Sequence, residues 1–369
     1  MIHISSHIDR LAPYQPGASQ IKLPAGKSWD DIIMLASNEN PLGVPLSAQE
    51  AGKAAMSKVN FYPDSGGAAV KEAIAAHVGV ESNEIHLGNG SDSILLRLMR
   101  AMCKGEEEVL TSAHTFAATT VQANIQDVPM RYVPMKAGYK FDLETILQEI
   151  TDQTKVIYLC NPNNPTGSVF TEKEVMSFLD QVPERILVVM DEAYYEFAVS
   201  LSEEYPKYHT YKRSNVLCLR TFSKAYGLAG LRIGYAIGDA SIISILDKVS
   251  LPFEPSSVAQ ASALAALRDE EFMHRTVSLN KEVLQRYYTA LDSLGIAYIP
   301  TYANFVMVEF QEVARVNTLF HHFLQNDILV RKIGSLPNCI RIGTGTLANT
   351  EKVIEALKTF STATESLSV

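Results

Sequence analysis

The chain has 369 residues, 47% hydrophobic and 20% charged, the balance of a globular protein too long for one small core. Its 32 Lys and Arg against 41 Asp and Glu leave a formal charge of -9 with no basic block, which argues against a nucleic-acid partner. Cys103, Cys160, Cys218 and Cys339 lack the paired spacing of a metal site, and no apolar run approaches the ~20 residues of a membrane span. Without a signal pattern at the amino terminus, the expectation is a cytoplasmic protein with buried thiols, no metal and no membrane.

Residues 1 to about 28, which include PYQPG, read as an extended arm. DIIMLASNENPLGVP then breaks from a strand-like run into a polar loop, Asn38 to Asn40, whose amides suit either a substrate contact or a turn. Helical spacing follows over 47–59 and in VKEAIAAHVGV, with the aromatic turn FYPDSGG between them. In LGNGSDSILLRLM, Gly88, Gly90 and Ser91 open a helix whose free N–H groups and dipole suit an anion; the full three-glycine dinucleotide fingerprint is missing. EEVLTS is a strand, and HTFAATTVQANI after it offers Phe116, either a ring that stacks on a flat ligand or ordinary core. MRYVPM, a helix near 142–150 and the buried parallel-type strand KVIYLC at 155–160 lead into NPNNPTG. Three asparagines between prolines are more than a surface turn requires.

After a helix over 172–182, the strand ILVVM at 186–190 ends in DEAYYEF. A carboxylate at Asp191 would be buried and needs a cationic partner, either an arginine or a protonated ring nitrogen; Tyr194 stands where it can reach an oxygen on such a ring. The strand NVLCLR at 215–220 runs into TFSKAYGLAGLRIGY, placing Lys224 just past a strand end, where open α/β sheets bind ligands. Such a lysine is either a solvated surface charge or a nucleophile toward an aldehyde, the latter if apolar walls or a nearby cation lower its pKa. Thr221, Ser223 and Arg232 beside it suit a phosphate, and an aldehyde and a phosphate on one small molecule describe pyridoxal phosphate. Three successive strands thus end near Asn164, Asp191 and Lys224. Helical segments over 241–250 and 257–293 flank LPFEPSS. IAYIPTYANFVMVEF, a helix from about 312, ILVRK and CIRIGTG then alternate as a smaller α+β domain would, and STATESLSV reads as frayed.

NENPLG, FYPDSGG, LGNGSD, CNPNNPTG, DEAYYEF, TFSKAYGLAGLRIGY, ANF, ILVRK and IRIGTG occur in the order of the fold-type I pyridoxal-phosphate aminotransferases. Over nearly the whole chain the sequence most resembles the histidinol-phosphate aminotransferases within them. The expected architecture is α/β: an arm and part of the small domain in 1–44, a large domain with a mainly parallel central sheet in 45–255, and a small α+β domain in 256–369.

By that resemblance Lys224 holds the cofactor and moves protons, Asp191 keeps the ring nitrogen protonated, and Asn164 and Tyr194 bind the ring's 3-oxygen. Gly90, Ser91, Asp92, Thr221, Ser223 and Arg232 surround the phosphate, and Phe116 stacks on the ring. Tyr62 reaches the cofactor of a partner subunit, which implies a homodimer with shared sites. Tyr14, Asn40, Asn164, Arg331 and Arg341 face the substrate; for Arg331 a solvated strand-end charge is the alternative. The implied activity is transfer of an amino group from histidinol phosphate to 2-oxoglutarate. Aromatic amino acid transamination and threonine-phosphate decarboxylation are alternatives that use the same cofactor. The family usually has tyrosine in place of Phe116 and proline in place of His114.

Overall fold

The computed structural model describes residues 4–9, 11 and 26–365. Strands run as β1 Ile33–Met34, β2 Ile85–Gly88, β3 Glu108–Ser112, β4 Met130–Val133, β5 Thr154–Cys160, β6 Leu187–Asp191 and β7 Val216–Thr221. They continue as β8 Gly234–Gly238, β9 Ala297–Ile299, β10 Phe305–Glu309, β11 Ile328–Leu329, β12 Arg331–Ile333 and β13 Leu336–Gly343. The helices around the two cores include α1 Leu46–Met56, α2 Ser91–Met102, α3 Ala117–Ile125, α4 Ser257–Leu267 and α5 Glu270–Ser293.

Seven strands form the central sheet in the order β2-β8-β7-β6-β5-β3-β4. β4, β3, β5, β6 and β7 run parallel, and β8 lies antiparallel to both of its neighbours. Every residue of β6 and β7, and all of β5 but Lys155, is buried, which is why these segments read as unbroken apolar runs: both faces are covered. From β3 the chain steps outward to β4, then crosses back to β5 and proceeds the other way through β6 and β7. That reversal opens a crevice at the carboxyl ends of β3 and β5, the place where sheets of this kind bind ligands. The loops carrying Phe116 and Asn164 leave the sheet there.

A second core is built on the antiparallel sheet β12-β13-β10-β9 and the parallel pair β1-β11. It joins Ile32, Leu35 and Ala36 to residues between Val283 and Phe360, whereas the larger core runs from Ala48 to Leu267. The N-terminal segment therefore belongs physically to the C-terminal third. Helix α4 lies in the larger core, past the boundary expected at 255: Ala259, Ala263 and Ala266 are buried there, and the Ser262 hydroxyl donates to the Ala48 carbonyl of α1 at 2.9 Å.

The helical stretch read over 257–293 is two helices. Asp269 breaks it by capping α5, accepting the Phe272 N–H at 3.0 Å and the Ser47 hydroxyl at 2.7 Å. Within the arm read as extended, Ser6–Asp9 is a helical turn; Tyr14 lies outside the described residues. The terminal helix Leu347–Glu365 continues into the stretch read as frayed. No helix among the described residues is long and apolar enough to cross a membrane.

Candidate active site

Asp191 is the last residue of β6 and is fully enclosed. Its Oδ2 accepts the Tyr158 hydroxyl at 2.7 Å and its Oδ1 the Ala193 N–H at 3.2 Å. Burial raises its pKa to about 6, against the lowering effect of those two donors. The arginine that the sequence allowed as its partner goes to the next residue instead. Arg220 Nε donates to Glu192 Oε2 at 2.9 Å, and the guanidinium lies 3.4 Å above the Tyr195 ring. Among the described residues no cation is paired with Asp191.

The loop after β5 explains why it contains three asparagines. Asn161 Oδ1 accepts the Phe170 N–H at 2.9 Å. Asn163 donates to the His114 carbonyl at 3.1 Å and to Thr166 at 2.9 Å, while accepting the Thr115 hydroxyl at 2.9 Å. Those two side chains fasten the loop, and Asn164 is left to serve the cleft. It donates to the Tyr194 oxygen at 3.3 Å and accepts from Arg341 Nη1 at 2.5 Å. His114 takes φ 56°, a conformation closed to the proline usual at that place, so the departure alters the backbone as well as the side chain. Phe116 opens α3 just beyond, half-buried against the larger core.

Lys224 follows β7, half-buried, with Nζ donating to the Ser37 carbonyl at 2.8 Å and lying 6.0 Å from the centre of the Tyr194 ring. Burial, and then the positive charges of Arg341 and Arg232, lower its pKa to about 8, although Glu39 and Asp92 oppose the shift. The Tyr194 phenol is pushed up to about 12 by burial, with Arg341 acting the other way. Its oxygen accepts the Asn38 amide at 2.9 Å, and its ring packs edge-on against Phe305 at 5.3 Å.

An anion cup lies at the amino end of α2. Ser91 is the first helical residue, so the free N–H groups of that turn point outward. Thr221 donates to Ser223 at 3.0 Å, and Arg232 Nη1 donates to Ser223 at 3.3 Å while its Nη2 stands 3.4 Å from Asp92. Glycine is required where the walls meet. A Cβ at Gly90, φ 75°, would sit 2.5 Å from the Arg232 guanidinium, and one at Gly234 would sit 2.9 Å from the Ser91 nitrogen.

Across the cleft, Arg331 and Arg341 are direct partners in the β12–β13 ladder, so both side chains leave the same face of the smaller sheet. Arg341 also donates to the Ala36 carbonyl at 2.5 Å and lies 5.2 Å from the Phe305 ring. Two cations side by side suit a phosphate or a carboxylate.

Other residues singled out from the sequence stand apart. Tyr62 is 80% exposed and stacks on Phe253 with ring centres 4.2 Å apart. The Asn40 amide is taken up by the protein itself, donating to the Ala225 carbonyl at 2.8 Å and to Thr276 at 3.0 Å. Two contributors went unnoticed in the sequence: the Ser37 carbonyl and Tyr158. Asn38 was visible as one amide of a polar loop, but nothing local separates it from Asn40.

These groups fit pyridoxal phosphate. A buried carboxylate without a cation, an amine with lowered pKa, a phenol and amide together, and a hydroxyl-lined cup at a helix amino end match a ring nitrogen, an aldehyde, a phenolic oxygen and a phosphate. The residues that would hold each are Asp191, Lys224, Tyr194 with Asn164, and Ser91, Thr221, Ser223 with Arg232.

The profile of the aminotransferase class I and II family matches residues 30–357. The histidinol-phosphate aminotransferase of Geobacillus sp. (strain WCH70) is 38% identical over 360 residues, spanning 96% of this chain and 97% of its own. That of Akkermansia muciniphila is 39% identical over 360 residues, with the same two shares, 96% and 97%. The crystal structure of the histidinol-phosphate aminotransferase from Sinorhizobium meliloti in complex with pyridoxal-5'-phosphate has a TM-score of 0.90 at 27% identity, covering 98% of both chains. A Thermus thermophilus aspartate aminotransferase variant, at 20% identity and a TM-score of 0.82 over 98% of this chain and 99% of its own, shares the fold.

The lowered pKa of Lys224 gives a direct test. In cofactor-free protein, acylation of Lys224 followed by peptide mapping should rise with a midpoint near pH 8, well below the 10.5 of an ordinary lysine. Arg341→Leu removes a cation that disfavours the ammonium, so the midpoint should move upward. A midpoint above 10, or one that Arg341→Leu leaves in place, contradicts a Lys224 ammonium destabilised by burial and by Arg341.

Proposed function

This chain belongs to the class I and II aminotransferases, and within that family we propose that it transfers the amino group of histidinol phosphate to 2-oxoglutarate. The observation that carries the substrate assignment is the Arg331–Arg341 pair facing the cleft from one sheet face, together with full-length similarity to enzymes of that name. Histidinol phosphate has no carboxylate, so its phosphate is the anion for these arginines, and the dicarboxylate acceptor uses the same cations in the other half-reaction.

Pyridoxal phosphate, when bound, supplies an aldehyde that takes up the amino group and a protonated ring that draws electrons from the substrate carbon. The chain's own residues do the rest. Lys224 Nζ, with a pKa near 8, is partly unprotonated at neutral pH; it would hold the cofactor through its aldehyde and, once the substrate's amine has released it, would carry a proton to and from the substrate carbon. Asp191, ionised at neutral pH, keeps a proton on the ring nitrogen. Tyr194 and Asn164 fix the ring's oxygen, and Arg341, bonded to Asn164, ties substrate binding to that contact. Ser91, Thr221, Ser223 and Arg232 bind the cofactor phosphate.

The working enzyme is proposed to be a cytoplasmic homodimer with Tyr62 entering the partner's site. Support comes from an outward-facing aromatic group, Phe61, Tyr62 and Phe253, which one subunit alone leaves uncovered. Mixing inactive Tyr62→Ala and Lys224→Ala proteins should restore part of the activity through hybrids with one intact site; no recovery, with subunit exchange shown independently, counts against sharing.

For the substrate, Arg331→Ala should lower kcat/KM for histidinol phosphate by more than ~2 kcal/mol, the scale of a lost charge-assisted contact, and affect phenylalanine much less. Equal losses for both donors would favour an aromatic transaminase. Release of carbon dioxide in place of glutamate would favour a decarboxylase.

A further inference from the structure

Tyr158 lies on β5 within the larger core. Its phenol is wholly buried, and a hydroxyl carried into such a place is costly unless it bonds to something. The sheet register shows what it bonds to. Tyr158 is opposite Val189 and Cys160 is opposite Asp191, so by the two-residue period of a strand Tyr158 and Asp191 share a face, the phenol one pleat deeper. From below, the Tyr158 hydroxyl donates to Asp191 Oδ2 at 2.7 Å.

The groups around Asp191 make this bond matter. Asp92 and Glu192 favour its protonated form, as does burial, while the Tyr158 hydroxyl and the Ala193 N–H favour the anion. Glu192 is itself paired with Arg220, and burial keeps the Tyr158 proton firmly on its own oxygen, so the phenol acts as a donor. We propose that Tyr158 is a positioning residue that holds Asp191 as an anion for the cofactor's ring nitrogen, an inference that rests on the function proposed above. Without the phenol the carboxylate becomes more basic, and the proton shared with the ring nitrogen moves toward Asp191. The ring then attracts electrons less well, although nothing that touches substrate has changed.

The test uses holoenzyme loaded with pyridoxal phosphate carrying 15N in the ring. The wild-type nitrogen signal should be that of a protonated pyridine, and in Tyr158→Phe it should move toward the unprotonated value. kcat should fall roughly ten- to a hundredfold, as expected for losing a hydrogen bond to a charged group, with KM changed by less than about threefold. If the small void left in Tyr158→Phe disturbs folding, 4-fluorophenylalanine at 158 refills it without a donor and should give the same two changes. An unmoved nitrogen signal in the donor-less protein, whatever happens to kcat, overturns the inference and leaves Tyr158 as core. A wild-type protein that takes up no pyridoxal phosphate would sink the proposed function, and this inference with it; that outcome is told apart because it appears before any substitution is made.

Discussion

A carboxylate enclosed at the end of an apolar strand is unstable as an anion unless its surroundings supply donors or a cation. Strand β6 and its continuation present two such groups, Asp191 and Glu192, one after the other, and successive side chains leave a strand on opposite faces. The structure resolves them differently. Glu192 turns into the core and is neutralised by Arg220, with the Tyr211 hydroxyl donating at 2.5 Å and the Cys218 thiol at 3.2 Å. Asp191, on the opposite face, receives donors only and has no cation paired with it among the described residues. Reversing those two fates would leave the sheet intact and remove the carboxylate proposed to hold a protonated ring.

The second constraint is the short segment from Leu35 to Asn40, which threads between the two cores. The Leu35 carbonyl accepts the Gly343 N–H at 3.0 Å, and the Asn38 carbonyl accepts the Asn304 amide at 3.0 Å, so the segment is fastened to the smaller sheet. Its other groups meet the site: the Ala36 carbonyl meets Arg341, the Ser37 carbonyl meets Lys224, the Asn38 amide meets Tyr194, and the Asn40 amide meets the turn after Lys224. Arg341 on one side and the Lys224 amine on the other are therefore held in register by six residues of backbone. The segment is not a regular strand: it bends at Ala36 and Ser37, and Asn38 takes φ 58°, so its carbonyls and amides are turned toward neighbours on both sides.

Much of this was legible in the sequence because strand ends are punctuated chemically. The apolar runs read at 155–160, 186–190 and 215–220 appear as β5, β6 and β7 to within one residue at each end, and polar or charged groups follow them as open α/β sheets require. Less legible was anything set by contact between distant segments. Tyr158 reads as an ordinary strand aromatic until the register with β6 is known, and Asn38 cannot be told from Asn40 until one is seen to meet Tyr194 and the other the chain itself. The break at Asp269 was hidden because both flanking helices keep helical spacing, and only the capping bonds of one carboxylate mark the boundary. Tyr62 is a different case: its motif is plain, but its surroundings in one subunit are solvent and Phe253, and its proposed role belongs to an assembly.

The claim on which the rest depends is that the amine following β7 holds the cofactor. Reduction of pyridoxal-phosphate-loaded protein with borohydride fixes the cofactor permanently to the amine that carries it, and peptide mapping then identifies that amine. A pyridoxyl group on Lys224, and no reduced label in Lys224→Ala, is the result expected from the geometry. A label on any other lysine, or on none while the cofactor is demonstrably bound, would contradict it.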